Sequence, residues 1–433
     1  MKPNHRRNFL RTAAGAIVAT PAFPVLGAND RVNLAVVGIG GRGRDHIDGF
    51  AKLSQCRIAA VCDVDQAGRE RGMAQVERLV GYKPGQYTDM RRLFENKEID
   101  AVSFATPNHW HALGTIWACQ AGKDVYVEKP PSHNIYEGRK MIEAARKYKR
   151  MVQVGSQSRS MAYIRRAMDL LRQGVIGKIY EARGLCFNPR PSIGHTPDEP
   201  VPPGINWDLF LGPAPMRPFS RNRFHYNWHW FWDTGNGDIG NQGIHEMDKA
   251  RWGLDRGLPT HVSSTGGKYV YQDDQETPNT QTATFDYGDA RITFEVRGLP
   301  TPGEGDVRRG DHFVGNVYFG SEGFMTLDGY GFRVYKGYKR ELTMQEKPDR
   351  GGENGPHMAN FLDACRSRNY RDLNADVEIG VTSVALVHLA NISYRLGRQL
   401  TVDPATWRIL RDAEADRMLT RPYRAPYVVP EKV

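Results

Sequence analysis

The 433-residue chain is poor in cysteine. Its five cysteines, Cys56, Cys62, Cys119, Cys186 and Cys365, are odd in number and widely spaced. No C-x-x-C pair occurs, so neither a zinc ribbon nor a disulfide framework is indicated. The cysteines read instead as small buried hydrophobes. Long apolar runs are missing too: beyond a mild N-terminal stretch, no segment reads as long and apolar enough to span a bilayer. Acidic residues are absent from positions 1–28, where Lys2, Arg6, Arg7 and Arg11 carry four charges of the formal net +10. Without those four, the surplus is small. No basic block interleaved with aromatics occurs, so nothing points to nucleic acid. Hydrophobic residues make up 40% and charged residues 25%, an ordinary globular balance in a chain long enough for two domains.

What is present begins at the N-terminus. His5-Arg6-Arg7-Asn8-Phe9-Leu10-Arg11 sets two arginines before a Phe-Leu pair, and an Ala- and Gly-rich stretch broken by Pro21 and Pro24 follows. Residues 1–28 resemble a twin-arginine export signal. The resemblance implies the twin-arginine machinery as a partner and a periplasmic destination, with membrane tethering if the signal stays uncleaved.

From residue 32 short apolar runs at 32–37, 57–62, 101–105, 124–127 and 151–154 alternate with helical patterns. That alternation predicts a parallel sheet with helices on both faces. Past residue 155 the pattern becomes a helix near 161–173, a Pro- and Gly-rich loop over 188–218, several separated strands, and late helices at 357–367 and 376–396. The fold class expected is α/β: an N-terminal Rossmann domain over 31–155, then an α+β domain over 156–433 with a large, mostly antiparallel sheet.

The first apolar run leads directly into Gly38-Ile39-Gly40-Gly41-Arg42-Gly43. A G-x-G-x-x-G after a strand and before a helix permits a tight turn, close approach of a pyrophosphate, and close helix–strand packing. Gly38, Ile39, Gly40, Arg42 and Gly43 are thus candidate cofactor-binding residues. Asp63, twenty residues after Gly43 at the end of the second run, can accept hydrogen bonds from a ribose hydroxyl and would repel a 2′-phosphate. This favours NAD over NADP.

Two further segments, Thr106-Pro107-Asn108-His109-Trp110-His111 and Glu128-Lys129-Pro130, follow later strands. Ligands of such sheets bind beyond the carboxyl ends of the strands, so both segments are aimed at the cofactor side. A lysine there can polarise a carbonyl or, with a lowered pKa, deprotonate a hydroxyl.

With these motifs, and with Gln153-Val154-Gly155-Ser156-Gln157 and Asn206-Trp207-Asp208…Leu211-Gly212-Pro213, the chain from Arg31 onward resembles the Gfo/Idh/MocA family. That family is named for glucose–fructose oxidoreductase, inositol dehydrogenase and a rhizopine-catabolism protein. The resemblance implies a nicotinamide-dependent oxidoreductase of sugars or polyols and an oligomer formed through the C-terminal sheet. It implies a catalytic Lys129, a Glu128 near the nicotinamide, and Thr106, Asn108 and His111 lining the cofactor site.

The family usually places a catalytic Asp and His four residues apart in the second domain. Here His245 fits, but position 241 is Asn. Asn can orient an imidazole; it cannot favour the imidazolium by charge. Asp238, seven residues before His245, would share its face on a continuous helix, although the intervening glycines oppose one. The candidate catalytic set is Lys129, His245 and Asn241, with Asp238 left open as the residue supporting His245. The segment 223–232 is dense in aromatic and polar groups, which suits either sugar stacking or a domain core. Tyr226, His229 and Asp238 are the candidate substrate residues. His225 and His229 have a helical spacing that could hold a metal, but no acidic partner is placed, so none is expected.

The function expected is hydride transfer between a carbinol carbon of a sugar, glycoside or polyol and NAD. Because a twin-arginine route carries folded proteins, the cofactor would be tightly held and recycled. One alternative is an NAD-dependent glycoside hydrolase or lyase working by transient oxidation and elimination. Another is a non-catalytic sugar-binding protein on the same fold.

Overall fold

The computed structural model describes residues 31–300, 313–348 and 354–433. The arginine pair and the rest of the 1–28 signal segment lie outside the described residues. Six strands, β1 (Val32–Val37), β2 (Cys56–Cys62), β3 (Gly85–Tyr87), β4 (Ala101–Phe104), β5 (Asp124–Val127) and β6 (Val152–Val154), form an all-parallel sheet. Its order is β3-β2-β1-β4-β5-β6. The strands read as near-continuous apolar runs because helices cover both faces: every residue of β4 and β5 is buried. The order reverses between β1 and β4, which opens a crevice at their carboxyl ends.

The second sheet follows: β7 (Ile179–Phe187), β8 (His261–Gly267), β9 (Thr280–Asp286), β10 (Arg291–Arg297), β11 (Phe313–Gly320), β12 (Gly323–Asp328), β13 (Gly331–Lys336), β14 (Glu341–Glu346), β15 (Leu400–Asp403) and β16 (Arg408–Leu410). The order is β14-β13-β12-β11-β7-β10-β9-β8-β15-β16. β7 and β10 pair in parallel and the other pairs are antiparallel. Burial alternates along β9 and β10, as it must when helices cover one face alone. The helices Ala162–Arg172, Gly243–Leu254 and Val377–Leu396 pack against that face in a shared core with Phe285, Ile292 and Phe294.

Helix Val377–Leu396 qualifies the sequence reading. By length and composition it could cross a membrane, but 78% of its apolar window is buried inside the protein. All five cysteines are buried and unpaired. The chain past residue 354 also returns to the first domain. Met358, Phe361 and Leu362 share a core with Val32, Leu34 and Val36, and Tyr427, Val429 and Val433 join Trp110 and Val125. These C-terminal segments thereby complete the core of the first domain.

Candidate active site

A cleft of about 550 Å³ runs along the crevice between the sheets. Its nucleotide half is built from backbone. Gly38 has φ +86°, and a Cβ there would stand 2.7 Å from the Ala105 oxygen. A Cβ on Gly43 would meet the Gly38 oxygen at 1.7 Å, so helix Gly41–Ala51 can sit against the strand only with glycine there. Gly40 and Gly41 face open space. Gly40 caps the helix without a side-chain bond, so the first-turn N–H groups remain available to an anion.

Asp63 closes the turn: its carboxylate accepts from the N–H groups of Ile39 and Asp65. Burial raises its pKa above the usual carboxylate value. It lines the cleft together with Asp65.

Beyond β4, Thr106 also lines the cleft, and its buried Oγ1 finds no partner among the described residues. An unmatched buried hydroxyl beside an open glycine cradle fits a dinucleotide, which would be held by Gly38, Ile39, Gly40, Asp63 and Thr106. Asn108 is fixed across the crevice by donating to Asn236 Oδ1 at 3.1 Å. The His111 ring stands between the carbonyl oxygens of Pro130 (2.7 Å) and Thr106 (2.8 Å) and ties the two loops together. Burial lowers its pKa.

A strap roofs this half. The loop after β7 forms a backbone bridge between Ile205 and Asp65, with Gln66 N–H donating to Gly204 O (2.9 Å) and Asn206 N–H to Val64 O (3.0 Å). Trp207, Phe210, Leu211, Phe219 and Phe224 give the strap its own small core against Val64. Phe210, Phe224 and Trp228 face the cleft.

The catalytic half is built from side chains. Glu128 Oε1 accepts from Arg42 Nε (2.9 Å) and Gln157 Nε2 (3.0 Å) and lies 3.0 Å from His46 Nε2. Burial opposes the charge on Glu128, but Arg42 and His46 outweigh it and hold the carboxyl well below its ordinary pKa. Arg42, expected at the cofactor, is therefore committed to Glu128 and to Asn354 Oδ1 (3.0 Å), while still lining the cleft. Lys129 Nζ donates to the Asn241 carbonyl at 2.9 Å. Burial depresses its pKa, with Arg42 adding to the effect and Glu128 opposing it. His245 lines the same space; burial and the nearby Lys129 and Lys249 lower its pKa to about 3, so the ring is neutral at pH 7.

The residues expected to support His245 are placed otherwise. Helices Gly237–Asn241 and Gly243–Leu254 are separated at Gln242. The Asn241 amide donates to Tyr226 Oη and to Asp238 Oδ1, both at 3.2 Å. Among the described residues, no hydrogen bond from Asn241 or Asp238 reaches the His245 ring. Asp238, expected at the substrate, is not among the described residues that line the cleft. It is buried, and its carboxylate is taken by Arg190 Nη2 (3.1 Å) and Nε (3.3 Å), so Arg190 faces the cleft in its place.

The aromatic segment divides between the two roles left open for it. Trp230 and Phe231 are buried away from the cleft, Tyr226, Trp228 and His229 line it, and Phe224 is buried and also borders it. His229 Nδ1–H donates to the Tyr226 carbonyl, and burial lowers its pKa to about 3. Sequence reasoning missed His46, Arg190 and Asn236. His46 carried a usable signal, being polar on the buried face of helix Gly41–Ala51. Arg190 and Asn236 lie in loops, where periodicity says nothing.

Residues 32–156 match the model of an oxidoreductase family's NAD-binding Rossmann fold, and residues 192–292 and 320–429 match the same family's C-terminal alpha/beta domain. A Shewanella oneidensis protein named alpha-N-acetylgalactosaminidase is 28% identical over 206 residues, 40% of this chain and 44% of that protein. A glycosyl hydrolase family 109 protein of Shewanella baltica is 27% identical over 205 residues, with the same shares. The matches thus span less than half the length of these curated relatives. Among solved structures, the WlbA dehydrogenase of Chromobacterium violaceum, in complex with NADH and UDP-GlcNAcA, superposes with a TM-score of 0.66. It is 18% identical over 88% of this chain and 98% of that one. The aldose-aldose oxidoreductase of Caulobacter crescentus, complexed with glycerol, gives 0.63 at 18% identity over 86% and 100%. At these identities the structures establish the fold.

Proposed function

The chain belongs to the Gfo/Idh/MocA oxidoreductase family and carries its NAD-binding Rossmann domain, and from that premise we propose that it oxidises or reduces a carbinol carbon of a sugar, glycoside or polyol with a cofactor retained through the cycle. The observation that carries this reading is that Lys129 and His245, from different domains, line the same glycine-lined cleft, with Lys129 near enough to lower the pKa of His245. When bound, NAD supplies a hydride acceptor and, once reduced, a hydride donor. Lys129 moves the proton at the substrate hydroxyl: its lowered pKa makes the neutral amine accessible, and the Asn241 carbonyl aims it. His245, neutral, hydrogen-bonds the same or the adjacent hydroxyl. Glu128, held ionised, keeps a fixed negative charge beside Lys129. The strap over Val64–Gln66 excludes water and retains the nucleotide.

A second reading is favoured by the names of the relatives. In a glycosidase of this kind, transient oxidation at a ring carbon acidifies the neighbouring C–H, the leaving group is eliminated, water adds, and the carbonyl is reduced back. Lys129 and His245 would serve either chemistry. Incubation with aryl glycosides separates the two: release of the aryl alcohol supports cleavage, whereas a change in nicotinamide absorbance without release supports net redox. A non-catalytic binding role would leave Lys129→Ala without effect on either readout. We further propose export through the twin-arginine machinery to the periplasm, and self-association through the open face of the second sheet. Fractionation of cells expressing the full chain, and sedimentation of the purified protein, test these two points.

A further inference from the structure

The charge pattern of the catalytic half has a consequence for the substrate. The carboxylates lining the cleft are Asp63, Asp65 and Asp89 at the nucleotide end, and Glu128. Glu128 is already engaged by Arg42, Gln157 and His46. Two more carboxylates lie nearby and do not line the cleft: Asp238 is buried behind Arg190, and Glu246 is buried against Lys249. Glu128 keeps only Oε2, which accepts the Lys129 backbone N–H at 3.3 Å, as acceptor capacity toward this half. The groups that do face it are rich in donors. Lys129 has protons beyond the one given to Asn241. Tyr226 Oη accepts from Asn241, leaving its own hydrogen to donate.

Arg190 is the most strongly set of these groups. Its backbone N–H donates to Gly298 O at 2.7 Å and its carbonyl accepts from Tyr271 Oη at 3.2 Å, which fixes both ends of the residue. Asp238 grips one edge of the guanidinium, and Trp230 lies 5.7 Å from it. Nη1 and the second hydrogen of Nη2 have no partner among the described residues, and Arg190 lines the cleft. A planar fork held on one side and free on the other matches a carboxylate in geometry and charge. Neutral His229 and His245 can serve hydroxyls on the same substrate, but among the described residues lining this half only Arg190 offers a fixed cationic fork.

We propose that Arg190 is the specificity-determining residue of the substrate half, and that it recognises a carboxylate on the substrate, so that the preferred substrate class is a sugar acid such as a uronic acid or its glycoside. This rests on the sugar-oxidoreductase reading above and deepens it. Asp238 is a positioning residue that acts through Arg190.

The test uses the full-length protein carrying its cofactor, with tryptophan emission as the binding readout and D-glucuronate, D-glucose and N-acetyl-D-galactosamine as probes. The wild type is expected to bind glucuronate about 10- to 100-fold more tightly than glucose, the worth of one charge-assisted bidentate contact. Arg190→Met should abolish that preference, and Arg190→Lys should restore part of it. Retained NAD should be unchanged in both, so the lysine variant still reports if the methionine variant fails to fold. Equal affinity of the wild type for the three sugars, tightest binding of the N-acetyl sugar, no binding of glucuronate, or a preference surviving in Arg190→Met would each overturn the proposal. Turnover is read separately: glucuronate binding without cofactor reduction contradicts the redox reading and leaves this inference standing, and reduction by neutral sugars alone does the reverse.

Discussion

The two halves of the cleft are built by different means. The nucleotide half is mostly main chain: a glycine turn, the free N–H groups of one helix and the ends of two adjacent strands, closed by Asp63 and roofed by the strap. The catalytic half is mostly side chain, with Lys129, Arg190, Tyr226, Asn241 and His245 arriving from separate segments of both domains. A backbone site tolerates little change in shape and is indifferent to the substrate. A side-chain site can be rewritten one residue at a time without disturbing the fold. The contrast explains how one scaffold keeps NAD while its substrates vary.

The largest effect that would break the comparison is expected at Gly43. Gly43→Val would force the helix off the strand, given the 1.7 Å approach of a Cβ to the Gly38 oxygen. It should lose bound NAD altogether and destabilise the protein by about 3 kcal/mol or more, read by nucleotide content and chemical denaturation. Next in size, Lys129→Ala should lower kcat by about 10²- to 10⁴-fold while nucleotide content stays constant. A parallel loss of NAD would mean that the halves are not separable. In the wild type, kcat/KM should rise with pH through a limb set by the neutral form of Lys129, lying below the ordinary lysine value because burial favours that form.

A smaller effect is expected at Asp63. Asp63→Ala should narrow the preference for NAD over NADP by about tenfold, measured by competition for the emptied protein, without changing which sugar is preferred. The smallest concerns acid stability. His245 titrates near 3 in the folded protein against 6.5 unfolded. Its contribution is fully present above pH 6.5 and is lost as the pH falls from there toward 3. His245→Gln should therefore cost less stability at pH 5 than at pH 7, by about 1 kcal/mol, seen in denaturant unfolding at the two values.

The same contrast governs what could be read from the sequence. The parallel sheet was legible because strands buried on both faces are written as continuous apolar runs, and the glycine turn because its residues are contiguous. The second sheet was legible as a class, but β12 to β16 were not anticipated: the hairpins from Gly323 to Glu346 mix Gly, Tyr and charged residues without clean alternation, and β15 and β16 span only four and three residues. In the catalytic half, Lys129 and His245 could be found because each follows a local motif. Asp238 and Asn241 were selected by spacing, yet spacing does not say where a side chain finds its partner. Arg190 takes the carboxylate of Asp238 from 48 residues away in the chain, and that pairing exists only once the fold has formed.

The central claim, that NAD is held by the backbone half and recycled by the side-chain half, is tested most directly by denaturing the freshly purified full-length protein and quantifying the nucleotide released, then following the nicotinamide absorbance of the intact protein on adding sugar without free cofactor. The account predicts close to one equivalent of NAD(H) per chain and an absorbance change from that bound pool. A protein that emerges empty, exchanges nucleotide freely, and responds to sugar only with added NAD would contradict it.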